Sequence, residues 1–241
     1  MSPRIVAFAA LAAGANLLGA LAVTSRTRWS VRSLETMLAF SAGFMISVAL
    51  ADVVPESIAR GGRPAALVVL AGFLLVHLTQ HTLARHFHFG EETHEVTPIV
   101  SASALVGLLL HTFVDGVAIA SGFAADASLG VLLFLAILLH KLPEGLAISS
   151  LFIAAGGGRA RALGAAALLG VATIVGAIVA DATRLDGTIG LALSGGVTLY
   201  VAAANLVPEI QRKHGWRMPV AFFTGNALYF AARALLGELH G

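Results

Sequence analysis

The chain has 241 residues, of which 58% are hydrophobic and only 12% charged, with a mean hydropathy of +0.88. A soluble domain carries about twice that charged fraction, so most of the surface must face lipid, and a net charge of +2 without a basic, aromatic-interleaved patch argues against nucleic acid. The absence of cysteine excludes disulfides, thiolate metal sites and thiol nucleophiles, leaving nitrogen, oxygen and thioether as metal ligands.

In chain order, the first apolar run, Ile5 to Val23, follows a single Arg4 and is too long for the core of a signal peptide. It predicts a membrane helix. Seven more stretches of about 20 apolar residues follow, so the predicted spans are 3–24, 34–57, 64–84, 98–123, 127–153, 161–182, 187–209 and 218–237. The predicted fold is an all-α integral membrane protein, with eight transmembrane helices in one domain over 1–241. The gaps are short and polar or glycine-rich, as at Arg60–Arg63 and Gly156–Arg159. His77 and His81 fall near the inner end of the third span, and His86, His88 and His94 in the longest gap. These imidazoles suit transient metal capture, though a solvated loop without a specific role explains them equally. Nine Lys and Arg fall on one side against five on the other, which under the positive-inside rule predicts both termini outside; the expected location is the inner membrane.

Two internal echoes stand out. Residues 41–57 and 194–210 share eight of seventeen positions, including a Val-Pro-Glu ending, and lie on helices two and seven, which run in opposite directions. The stretch from His111 to Ser121 on helix four is echoed from His140 to Ser150 on helix five. An inverted repeat of this kind is a recurrent transporter plan, with the site at the repeat interface near the midplane.

His111 and Asp115 are four residues apart and share one face of helix four, as His140 and Glu144 do on helix five. Packed side by side, the two helices can aim two imidazoles and two carboxylates at one point. That shell suits Zn²⁺ and accepts Fe²⁺, Mn²⁺ or Cd²⁺. A charge at the bilayer centre costs about 2.5–3.5 kcal/mol on insertion scales, so such residues are functional by default. A lone histidine would read as packing, but a doubled motif on consecutive helices does not. Pro143 frees the carbonyl of Leu139, bends helix five and offers an oxygen to a cation. Gly116 and Gly145, directly after the acids, permit close helix approach. Asp52 and Glu56 on helix two, with Asn205 and Glu209 on helix seven, are either stations on a cation pathway or interfacial caps. Asp126, Asp181 and Asp186 are expected to face water.

On the motifs HTFVDG (111–116) and HKLPEG (140–145), with the two Val-Pro-Glu endings, the chain resembles the ZIP family of divalent metal transporters over essentially its whole length. The resemblance implies a metal site, often binuclear, halfway along a transport path. His111, Asp115, His140 and Glu144 would be its primary ligands and Met45 an auxiliary thioether; Met45 reads equally well as packing. It implies a transporter rather than an enzyme, moving a divalent cation (Zn²⁺ first) into the cytoplasm by alternating access. The metal is then substrate and membrane lipid a partner; the oligomeric state is open, with the small-residue-rich helices allowing a homodimer. The chain departs from the family at Thr112, where Asn is common, and at Lys141, where Asn, Asp or Glu is common. An ammonium three residues from Glu144 is within its reach and repels a nearby cation by several kcal/mol. The expectation is one bound metal, with Lys141 as a tethered substitute for the second; snorkelling of Lys141 to an interface is the alternative. A membrane-embedded metal hydrolase and a non-transporting metal sensor are the competing classes, the first weakened by the lack of a His-Glu-x-x-His motif.

Overall fold

The computed structural model describes residues 2–25, 31–82, 98–184, 186–211 and 215–238, and among these all regular structure is helical. In order come α1 (Pro3–Thr24), α2 (Val31–Val48), a π-helical turn (Ala49–Val53), α3 (Val54–Thr82), α4 (Pro98–Ala125), α5 (Ala127–Ala154) and α6 (Gly158–Ala182). These are followed by α7 (Gly187–Tyr200), a second π-helical turn (Val201–Leu206), α8 (Val207–Gln211) and α9 (Arg217–Glu238). Six described stretches are long and apolar enough to cross a bilayer, one of them the 45-residue run Glu35–Thr79. Leu11 and Leu67 on two of these stretches, and Phe223 and Leu235 on α9, are each at least 60% exposed. Such a surface is stable only against hydrocarbon. The chain is a multi-pass membrane protein.

Proline chemistry explains both π turns. Pro55 and Pro208 each stand second in their helices, where the ring would strike the carbonyl four residues back, at Ala51 and Ala204. The helix avoids this by widening: the N–H of Val54 bonds to the carbonyl of Ala49, and that of Val207 to Ala202. Where a loop is predicted at Arg60–Arg63, the structure keeps helix on both sides and breaks only at Gly62, whose φ of 59° favours glycine. Pro64 lies in the first turn after that break, where its missing N–H costs nothing. Asp126 and Asp186 cap α5 and α7, accepting from Ser128 N (2.8 Å) and Leu129 N (3.0 Å), and from Thr188 N (2.8 Å). Both are exposed, as expected. Asp181 is only half-buried and accepts a hydrogen bond from the backbone of Ser2 at 2.8 Å.

The helices pack in four glycine-tight pairs. A Cβ at Gly19 would strike the Leu142 carbonyl, and one at Gly145 the Asn16 carbonyl, which locks α1 to α5. Gly116 meets Thr173 and Gly176 meets Phe113 between α4 and α6. Gly43 meets Phe222 and Gly225 meets Phe40 between α2 and α9, while Gly72 meets Leu193 and Gly196 meets Val69 between α3 and α7. Such contacts let backbones approach where lipid gives no hydrophobic drive to association. Helices α1, α4, α5 and α6 also contact one another, forming a four-helix body; α2 packs on it through α5, and α7 through α4.

Candidate metal centre

The four-helix body places α4 beside α5, and the two repeated motifs face each other across that contact. His111, Asp115, His140 and Glu144 are all buried, and one ligand atom from each lies within 4.8 Å of the others. The Nε2 atoms of His111 and His140 stand 3.5 and 3.4 Å from Asp115 Oδ2, and the rings lie 5.5 Å apart between centroids. His140 Nδ1–H donates to the Ala136 carbonyl at 2.8 Å. That bond makes Nδ1 the donor and turns Nε2 toward the cluster, the orientation in which a metal-binding imidazole is held. His111 Nδ1 and Glu144 Oε1 are buried without a hydrogen-bond partner among the described residues. The donor set of two imidazoles and two carboxylates fits a divalent transition-metal ion.

Lys141 enters the same cluster. Fully buried, its Nζ lies 2.7 Å from Asp115 Oδ2 and 2.8 Å from Glu144 Oε2, tying the acids of the two helices together. The contact with Glu144 follows from sequence spacing; the one with Asp115 needs the tertiary fold. Snorkelling to an interface is overturned by this burial.

A family model described as "ZIP Zinc transporter" matches residues 79–232. The chain belongs to the ZIP family. Over 162 residues it is 40% identical to a protein named Zinc transporter GufA from Myxococcus xanthus, a match covering 63% of this chain and 64% of that protein. The chain thus spans a little under two thirds of that relative's length.

In this ZIP chain, the residues around the cluster differ in part from expectation. The Leu139 carbonyl freed by Pro143 is not presented to a cation: Ser41 Oγ of α2 donates to it at 2.9 Å. A freed carbonyl within the membrane needs a donor, and the buried hydroxyl supplies one. Thr112, fully buried, donates to its own helix at the Leu109 carbonyl (3.1 Å). Met45 is buried on α2 within the main apolar cluster, with Phe44, Val48 and Ile137. Asp52 sits in the first π turn, where Tyr229 OH donates to its Oδ2 at 2.6 Å and Arg233 pairs with its Oδ1 at 3.1 Å. Glu56 pairs with Arg60 at 2.6 Å, and Arg60 also donates to the Ala125 carbonyl at 3.3 Å. Asp52, Glu56, Asp126, Arg60 and Arg233 line a polar cavity of about 480 Å³ at the α4–α5 turn. His77 is exposed, with Nδ1 3.3 Å from Tyr200 OH. The side chains of His81, Asn205 and Glu209, and the whole of His86, His88 and His94, lie outside the described residues. Sequence spacing gave no sign of Ser41, Tyr229 or Arg233. Only the proline four residues after Leu139 signalled that a donor was needed there.

Proposed function

We propose that this ZIP protein carries a divalent metal cation, Zn²⁺ first, across the inner membrane into the cytoplasm, and that it is a transporter rather than an enzyme. His111, Asp115, His140 and Glu144 bind the cation. One observation carries the reading: four buried ligand atoms of the right chemistry within 4.8 Å, on adjacent membrane helices. The relative named Zinc transporter GufA supports zinc as the substrate.

One cation is bound at a time, with Lys141 standing where a second would be. At an effective dielectric of 20, unit charges 4 Å apart interact by about 4 kcal/mol, and a divalent ion near an ammonium by twice that. Cation and Lys141 therefore compete for Asp115 and Glu144. Met45 is kept as an auxiliary thioether ligand to be tested. Asp52 and Glu56 are the outer stations of the path, and Asn205, Glu209, His77, His81, His86 and His88 belong to its other stations.

Residues 1–241 form one transmembrane domain with eight spans. The 45-residue run is two spans divided at Gly62, and α7 with α8, and α9, complete the set. An inverted repeat is supported by the glycine pairs: one constant offset carries Gly43, Phe40, Gly72 and Val69 onto Gly196, Leu193, Gly225 and Phe222. A second carries Asn16 and Gly19 onto Thr173 and Gly176. The two π turns recur at matching places. Alternating access follows from movement of the four-helix body against α2–α9 and α3–α7. Both termini lie outside, and a second copy completes a homodimer.

The test is zinc uptake by proteoliposomes containing the full chain. Accumulation in wild type, lost in His111→Ala and Glu144→Ala, supports transport. Zinc binding without flux would replace it with a sensor, a reading that Lys141's occupation of the cluster favours.

A further inference from the structure

Between Arg4 and Thr24, α1 is built of Ala, Leu, Gly, Val, Ile and Phe except for one polar residue, Asn16. It is completely buried, and neither Oδ1 nor Nδ2 has a hydrogen-bond partner among the described residues. A buried amide left unmade is unfavourable, more so where no water competes. At Asn226, by contrast, both amide atoms have a partner: Nδ2 donates to the Phe222 carbonyl at 2.9 Å, and Oδ1 accepts from Ser47 at 2.6 Å. Asn16 makes no such bond among the described residues.

Its place in the fold suggests why. The backbone of Asn16 is pressed against Gly145, so closely that a Cβ there would meet its carbonyl and Cα. Gly145 follows Glu144, whose Oε1 is also buried and unpartnered while its Oε2 is held by Lys141. An unmade donor on α1 thus packs by its backbone against Gly145, the residue next in sequence to an unmade carboxylate acceptor.

We propose that Asn16 is the contribution of α1 to the cation site, as a positioning residue for Glu144. When a cation takes Glu144 from Lys141, the Asn16 amide donates to Oε1 and fixes the carboxylate for ligation. The inference rests on the reading of Glu144 as a ligand. It makes α1 part of the site, although both sequence motifs lie on α4 and α5. Outer groups that orient a ligand in this way are worth about 10–100-fold in metal affinity.

The experiment compares zinc affinity and apo thermal unfolding of the purified full chain in wild type, Asn16→Leu and Asn16→Ala, each also combined with Glu144→Gln. Asn16→Leu keeps the volume and deletes an unmade amide. The expected result is a roughly tenfold or greater loss of zinc affinity with an apo midpoint unchanged or raised, and a much smaller loss in the Glu144→Gln background. Unchanged affinity in both variants would overturn the proposal. So would a loss that merely follows a lowered apo midpoint, or one equally large without Glu144. Failure of wild type to bind zinc, or binding indifferent to His111→Ala, would instead overturn the site itself.

Discussion

Lys141 Nζ of α5 lies 2.7 Å from Asp115 Oδ2 of α4, wholly buried, so the protein carries its own cation between two carboxylates proposed to bind a transported one. Replacing Lys141 with Met leaves two acids within the membrane without their partner. Breaking one side of a buried pair costs about 3–5 kcal/mol, so the metal-free variant should unfold at a lower temperature. Zinc should restore more stability to it than to wild type. Thermal unfolding with and without zinc checks both.

Metal stoichiometry is a separate prediction. Wild type should hold one zinc per chain and Lys141→Asp two, because the substitution exchanges a repelling charge for a further oxygen ligand. Elemental analysis of the purified proteins reads the number directly. Two ions in wild type, or none gained by the variant, would reject Lys141 as the second-cation substitute.

Ser41 and Pro143 should be energetically coupled through the Leu139 carbonyl. Ser41→Ala leaves that carbonyl unmade, at about 1–3 kcal/mol. In a Pro143→Ala background the residue at 143 regains an N–H for Leu139, so the same Ser41 change should cost less. A double-mutant cycle on thermal stability measures the difference, which should exceed about 0.5 kcal/mol.

Protons compete with the cation for the imidazoles and carboxylates, since only neutral His and ionised Asp or Glu ligate. Uptake and zinc affinity should therefore fall together as pH is lowered. Uptake that rose steadily on acidification, measured in proteoliposomes at fixed zinc, would instead require proton coupling.

Met45→Leu removes the thioether while keeping the packing volume. If Met45 ligates, zinc affinity drops with little change in stability; if it only packs, neither moves. Isothermal titration of the two proteins decides.

The sequence alone determined what repeats with helical period. Spacing of four places His111 over Asp115 and His140 over Glu144 whatever surrounds them, and composition alone requires lipid around the helices. The prolines, too, mark where backbone hydrogen bonding must change. What only the tertiary structure decided are relations between helices, because no local rule specifies which faces meet. The glycine pairs set α1 against α5 and α4 against α6, which brings Lys141 to Asp115 and Asn16 beside Gly145. The same packing hands the Leu139 carbonyl to Ser41 rather than to a cation, and Asp52 to Tyr229 and Arg233. Periodicity is written into one segment at a time, whereas a buried polar group finds its partner on whichever neighbour the close-packed backbones admit.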